Sequence, residues 1–567
     1  MLKIPTVPDA RRRLSMAALS VAAPVLLAAA PSAAGAARGF DFGVTATDVS
    51  VHSAILWARA EGAGPAIVQV VPGGSFGPCR VGTGLGSVGA GVGVGSRVSA
   101  DDDKTVDKRV AGLKPGSSYL YRFCTKGGAR SEVGTFETPP APGQAKTITF
   151  ALSGDQDAVP VPGQSRPYWN NFRIWKLIRK ERNDFNVLMG DTIYSDSEVP
   201  GAGGKAKTAI TVPAKWRKYR INLGQRFWVQ ARGAASYYPH WDDHEFINDF
   251  SKFENSFPET GGDVKINGKV LYRRGLKAFE DYNPTTYSSK TGIYRHFRWG
   301  KNLEVFFLDE RAFRSQSADY NGTCDNPPGS GNPDLAPTAP QSTRNVFALV
   351  IPSLANPPPP ECVAKINDPN RTMLGKAQLA RFERDIKRST ATFKVIFNEV
   401  PIQQYYALPY DRWEGYAAER TKLLEFLRHN VENSIFLTTD VHANLVNDAR
   451  LKTLESGGPV NSGIMDLTTG PIATKTYAKE IEDVAGSGSA PLIRSAFFKP
   501  APPSGVGMQC AGMDAFSYAE VTVRRRSLKV ELKDIHGNTV TDTADREMPG
   551  SPCGPYVLQA QDHPPAG

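Results

Sequence analysis

From residue 146 onward, short apolar strand-like runs alternate with helical stretches, and acidic residues stand directly behind several of the strands. The strand-like runs are Thr147–Leu152, Phe185–Met189, Leu303–Leu308, Phe393–Phe397 and Ser434–Thr438. The helical stretches include Trp169–Glu181, Ala377–Arg388 and Glu414–Asn430. Alternation over this length predicts an α/β domain covering residues 146–540.

Five clusters sit at or near the strand ends. They are Ser153-Gly154-Asp155-Gln156-Asp157, Met189-Gly190-Asp191-Thr192-Ile193-Tyr194, Trp241-Asp242-Asp243-His244-Glu245, Phe397-Asn398-Glu399 and Thr439-Asp440-Val441-His442. In α/β folds the carboxyl ends of strands form the ligand crevice. An unpaired carboxylate buried there costs several kcal/mol, and a shared cation removes that cost. Carboxylates and imidazole without thiolates suit hard or borderline cations: Ca2+, Mn2+, Fe3+ or Mg2+. Two such ions side by side activate a water and neutralise a phosphoryl group.

Each cluster also has a plainer reading. Asp157 and Asp191 could be turn or cap residues. Residues 242–245 could open a helix whose dipole favours acidic side chains, with Asp242 structural rather than ligating. Asp309 and Arg311 read as a structural ion pair near the site, and Asn398 as a marginal ligand. His240, His296, His429 and His536 read as surface or core histidines. The ordered series favours metal binding over the plainer readings taken together.

The rest of the chain supplies the setting. Hydrophobic residues make up 40% and charged residues 22%, a globular composition. Residues 38–138 are strand-rich and read as a small fibronectin type III/Ig-like β-sandwich, with a Leu113-x-Pro115 turn feeding Tyr119-x-Tyr121. Pro139-Pro140-Ala141-Pro142-Gly143 reads as a linker. Residues 314–375, with Pro357-Pro358-Pro359-Pro360, read as a long inserted loop, and residues 541–567 as a Pro- and Gly-rich tail. Residues 1–36 read as an export signal, by the twin-arginine route on Arg11-Arg12-Arg13, with a cleavage site at Ala34-Gly35-Ala36. A periplasmic or secreted protein is expected, without a membrane span. The six cysteines then read as disulfides, Cys79/Cys124, Cys324/Cys362 and Cys510/Cys553, assigned by position along the chain. The net charge of +10 is dispersed. It suits an anionic substrate, and no specific nucleic-acid binding is expected.

The series D-x-D, G-D-x-x-Y, W-D-D-H-E and D-x-H, in this order behind a sandwich, resembles the PhoD-type alkaline phosphatases of the metallophosphoesterase superfamily. Leu308–Arg314, Met373–Gln378 and Asn398–Pro401 support the resemblance. It implies a four-layer α/β/β/α metallophosphoesterase sandwich and hydrolysis of phosphate monoesters, and of diesters, with Ca2+ and Fe3+. Carried over by position, Asp157, Asp191, Tyr194, Asp243, Asp440 and His442 are metal ligands, and Asp191 bridges two ions. His244 is the catalytic residue beside the leaving group. Asp155 stands where the family usually has an iron-binding Cys and joins the ligands. The implied reaction is a single in-line displacement by a metal-bridging hydroxide on a phosphate-ester substrate, in a monomer. A phospholipase D-like diesterase acting on lipid or wall polymers is a rival reading. A secreted surface-binding protein with a structural metal site is another.

Overall fold

The computed structural model of the protein describes residues 39–79, 94–202, 208–257, 264–349 and 351–561. The expected export signal lies outside the described residues. Among these residues, the α/β part builds on two large sheets, one of nine strands and one of seven.

Alternation along single strands explains how the sheets stack, because successive side chains point to opposite faces. In Ile148–Ser153, Phe150 and Leu152 join the core between the sheets, while Ala151 faces the outer helices. In Phe393–Asn398, Val395 and Phe397 face the inter-sheet core and Ile396 faces outward. In Ser434–Thr438, Ile435 and Leu437 face in and Phe436 faces out. Phe397 joins the sheets directly, stacking on Phe307 at 4.7 Å and meeting Phe150 edge-on at 6.0 Å.

Helices cover both outer faces. Arg173–Glu181 lays Ile174, Trp175 and Ile178 on the nine-stranded sheet. Lys376–Arg388 lays Leu379, Phe382 and Ile386, and Ala417–Asn430 lays Leu423, Leu424 and Leu427, on the other sheet. These spacings of three and four put the apolar residues on one helix face. The four layers are therefore helix, sheet, sheet, helix, as expected.

Parallel pairing positions the site. Ile148–Ser153, Phe185–Met189 and Ser236–His240 run parallel in one sheet. Leu303–Phe307, Phe393–Asn398, Ser434–Thr438 and Met465–Thr468 run parallel in the other. Parallel strands end at the same edge of their sheet, and the acidic clusters follow those ends.

The N-terminal β-sandwich shares a sheet with the α/β part. Its four-stranded sheet, Val94–Val98, Gly64–Val71, Ser118–Thr125 and Gly134–Glu137, packs through Val68, Tyr121 and Phe123 on Phe40–Thr47, Ser53–Ala60 and Thr105–Ala111. Those last three strands extend the nine-stranded sheet: Phe40–Thr47 pairs parallel to Ser236–His240, with Ala46 opposite Ser236. Pro139 and Pro140 are buried, and the Gly116 N–H donates to Pro139 O at 2.9 Å.

The insertion carries structure that its poor periodicity hides. Gln341–Phe347 and Pro360–Ile366 are helices. The second starts at the last residue of the tetraproline run, where a ring-fixed φ suits the first helical turn. The three disulfides join Cys79 to Cys124, Cys324 to Cys362 and Cys510 to Cys553. In the C-terminal tail, Tyr556–Gln559 adds an edge strand to the nine-stranded sheet.

Candidate metal centre

Glycines let the strand ends converge. At Gly190, φ is +78°, and a Cβ would stand 2.5 Å from Asp242 Cβ on the third loop. At Gly154, a Cβ would stand 2.6 Å from Met189 O and 2.8 Å from Thr439 Cγ2. The glycine before each of Asp155 and Asp191 thus permits backbone contact that a larger residue would block. Asp155, Asp191, Asp440 and His442 themselves have φ of +57°, +45°, +70° and +57°. Non-glycine residues rarely adopt this region, and such backbone strain concentrates at functional sites.

Five carboxylates and two imidazoles meet there. Ligand atoms of Asp155, Asp191 and His442 lie within 4.8 Å of one another, as do those of Asp191, Asp243 and His244. Asp191 belongs to both groups. Asp440 joins Asp242 and Asp243 in a third group of the same spread. Tyr194 closes the site: its hydroxyl is 2.8 Å from His442 Nε2, and its ring stacks on His244 at 4.1 Å. Asp157 is placed apart from these groups. Its carboxylate accepts from Ser197 Oγ at 2.5 Å and from the Val159 N–H at 2.9 Å. Asn398 is fully buried, and neither its Oδ1 nor its Nδ2 has a hydrogen-bond partner.

Both histidines are held by a carboxylate at Nδ1. His244 faces Asp196 at 2.6 Å, and His442 faces Glu480 at 2.6 Å. Donation from Nδ1 to the carboxylate fixes the tautomer and leaves Nε2 for a ligand or substrate. Glu245 ties the second loop to the third. Its carboxylate accepts from the Thr192 N–H at 2.6 Å, from Thr192 Oγ1, and from the Asp242 N–H at 2.7 Å.

Arg311 does not pair with Asp309 through its guanidinium, contrary to the reading from sequence. Asp309 instead accepts from Trp241 Nε1 and from the backbone of Ile293 and Ala312. The Arg311 guanidinium turns to Asp242 and to Asp411, which it holds at 2.7 and 2.8 Å, and it reaches Asp440 at 3.4 Å. Asp309 is fully supplied by neutral donors, which frees the arginine for the charges at the strand ends.

The electrostatics set Asp411 apart from the other acids, since burial raises Asp242 to about 8 even beside Arg311. Burial raises Asp155 to about 6, against the opposing charges of His442 and His244. Burial also raises Asp191 well above the carboxylate range, and Asp243 and Asp242 add to the rise. Burial works against Asp411 too, but Arg311 and Arg314 hold it below its ordinary value. Burial opposes protonation of His442, yet Glu480 raises it to about 9. Asp155 Oδ2 is buried with no hydrogen-bond partner. An orphaned carboxylate oxygen among buried acids, with imidazole and phenol donors beside it, fits two or more hard or borderline cations.

Asp196, Glu480 and Asp411 were not singled out from sequence, and Glu245 was read there only as part of its cluster. Asp196 stands five residues beyond Asp191 in the same loop. Glu480 lies on the helix Tyr477–Ala485, far from any motif.

Four layers with clustered acids and histidines at the strand ends define a metallophosphoesterase-type protein. A solved structure of PhoD covers 93% of this chain, and 91% of its own chain is covered, at a TM-score of 0.64 and 20% identity. A solved purple acid phosphatase from yellow lupin covers 89% of this chain, with 73% of its own covered, at a TM-score of 0.50 and 12% identity. The family model for PhoD-like phosphatase matches residues 159–532, and that for its N-terminal domain matches residues 26–140. The chain belongs to the PhoD-like phosphatase family. Alkaline phosphatase D of Bacillus subtilis (strain 168) is 27% identical over 357 residues, 59% of this chain. The match spans about half, 52%, of that relative's length.

Proposed function

We propose that the protein is an exported alkaline phosphatase that hydrolyses phosphate monoesters, and diesters, with two or more bound metal ions. The observation that carries this reading is Asp191, a buried carboxylate shared by two donor groups, with His244 beside it. Asp155 and His442 would complete one site with Asp191, and Asp243 the other. When bound, the cations supply Lewis acidity and an activated water. Ca2+ and Fe3+ are the ions we assign, with Mn2+ or Mg2+ as substitutes. Tyr194 favours iron as a phenolate donor.

The remaining work falls to the chain. Asp196 fixes His244 so that Nε2 donates to a phosphoryl oxygen or protonates the leaving oxygen. Tyr194 stacks on that ring and limits its rotation. Glu480 orients His442, and Glu245 locks the loop of Asp191 to the loop of Asp243. Asp157, braced by Ser197 Oγ, is a further ligand of the same centre. The dispersed positive charge and the three disulfides support export and an anionic substrate. No helix among the described residues is long and apolar enough to cross a membrane.

The test compares p-nitrophenyl phosphate with bis-p-nitrophenyl phosphate on metal-loaded protein, before and after chelation. Metal-dependent hydrolysis of the monoester is expected. Activity that survives complete chelation, or none with any metal, would overturn the reading. A visible charge-transfer band lost in Tyr194→Phe would mark bound Fe3+, and its absence from active protein would assign the site to the other ions.

A further inference from the structure

The helix Val212–Leu223 buries polar side chains and exposes an apolar one. Lys215, Tyr219 and Asn222 are 0%, 3% and 3% exposed, while Ile221 is 37% exposed. Spacings of four and three put the three buried residues on one helix face. Packing alone would favour apolar residues there, because a buried ammonium is costly and an apolar side chain of similar volume is not. Burial lowers the Lys215 ammonium to about 7, with Asp196 and Glu245 opposing the fall.

That face meets the first three loops of the metal centre. Asn222 Oδ1 accepts from the Ala158 N–H at 2.9 Å, and its Nδ2 donates to Gln156 O at 3.0 Å and to Thr192 O at 2.8 Å. Gln156 stands between Asp155 and Asp157, and Thr192 follows Asp191. One amide therefore fixes the first loop against the second. Tyr219 Oη adds a contact at 3.2 Å to Thr192 Oγ1. Lys215 Nζ donates to Ser195 Oγ at 2.7 Å and to Phe246 O at 2.8 Å. Ser195 stands between Tyr194, which stacks on His244, and Asp196, which faces His244 Nδ1. Phe246 lies two residues beyond His244. One ammonium therefore fixes the second loop against the third, beside the residues that hold His244. Neither acceptor of Lys215 is charged, so these contacts orient the loops rather than neutralise an acid.

We propose that this helix face is a splint for the three loops, with Lys215 the positioning residue for His244 and Asn222 the positioning residue for the loops of Asp155 and Asp191. The proposal rests on the phosphatase reading and deepens it. The two roles are separable. Loss of the Lys215 contact loosens His244, whose proton matters most when the leaving group is poor. Loss of the Asn222 contact loosens the ligands themselves.

Lys215→Met, Ser195→Ala and Asn222→Leu test the splint in the full chain. The substrates are p-nitrophenyl phosphate, with a good leaving group, and ethyl phosphate, with a poor one. Lys215→Met and Ser195→Ala lower kcat for ethyl phosphate by about tenfold or more, and for p-nitrophenyl phosphate by less than about threefold. The double variant is no worse than Lys215→Met, because both changes remove one contact. Asn222→Leu weakens Mn2+ binding to metal-free protein by about 10–100-fold in a calorimetric titration and keeps the wild-type ratio of the two esters. Equal losses on both esters in Ser195→Ala overturn the proposal. That variant leaves the helix intact, so it decides where a helix variant fails to fold. Mn2+ binding by folded Asn222→Leu that equals wild type also overturns it. If wild type hydrolyses neither ester, the phosphatase reading fails instead. The Mn2+ titration then decides the splint alone: weaker binding upholds it and equal binding overturns it.

Discussion

Two groups of buried carboxylates lie side by side at the strand ends, and their charge is balanced in different ways. Asp242 and Asp411 face the Arg311 guanidinium, and Asp411 faces Arg314 as well. Among the described residues, Asp155 and Asp191 have no lysine or arginine ion-pair partner, although one oxygen of Asp242, like one of Asp155, has no hydrogen bond. A fixed guanidinium suffices where charge need only be neutralised. A carboxylate left unbalanced marks the place for a cation that can also bring a water to the substrate. The arginine is thus the structural counterpart of the metal ions, built into the layer beside them.

The largest effect should come from the unbalanced group. Asp191→Asn removes the shared donor, and kcat on p-nitrophenyl phosphate should fall by about 10⁴-fold. A variant within tenfold of wild type would break the distinction between the two groups. Arg311→Met attacks the balanced group and leaves Asp242 and Asp411 without their cation. Urea denaturation should show a loss of about 3–5 kcal/mol, with or without metal. Asp155→Asn is the contrast: in metal-free protein it removes a carboxylate that no lysine or arginine pairs, so its midpoint should fall far less. A matching loss in both variants would show that Arg311 and the metals are not different solutions.

A smaller kinetic effect sharpens the division of labour. His244→Ala should lower kcat by roughly 10²–10³-fold. Metal content by elemental analysis should stay closer to wild type than in Asp191→Asn. The smallest effect concerns a balanced pair outside the metal centre, Asp334 with Arg344 at 2.7 Å. Burial opposes ionisation there, but Arg344 and Asn326 hold Asp334 below its ordinary value. Its contribution is present above the unfolded carboxylate range, near pH 4, and is lost as the pH falls through the lowered folded value. Asp334→Asn should make the acid limb of stability shallower by on the order of 1 kcal/mol. An unchanged acid limb would remove this pair as the model for Asp411.

What the sequence made legible follows from locality. Asp155, Asp191, Asp440 and His442 each stand within a few residues of a strand end, so the strand pattern and the residue type point to one place. The alternation of Val395, Ile396 and Phe397 likewise reports two buried faces within a single strand. Asp157 shares a motif with Asp155, but the Ser197 Oγ that its carboxylate accepts from lies in another loop and has no local signal. Glu480 carries no signal because its link to His442 exists only after the helix Tyr477–Ala485 has packed. The partners of Arg311 come from three separate loops, so the adjacent Asp309 drew the expectation instead. The shared sheet was hidden for the same reason, since the pairing of Ala46 with Ser236 crosses most of the N-terminal half of the chain. The helix Pro360–Ile366 was masked by composition, as proline reads as a breaker except at a helix start.

The central claim is that Asp191 joins two cation sites in one centre. Elemental analysis of protein purified without chelator, wild type against Asp191→Asn, tests it most directly. The account predicts two or more metal ions per wild-type chain and loss from both sites in the variant. Wild-type protein that is active with no bound metal, or a variant that keeps the full complement, would contradict it.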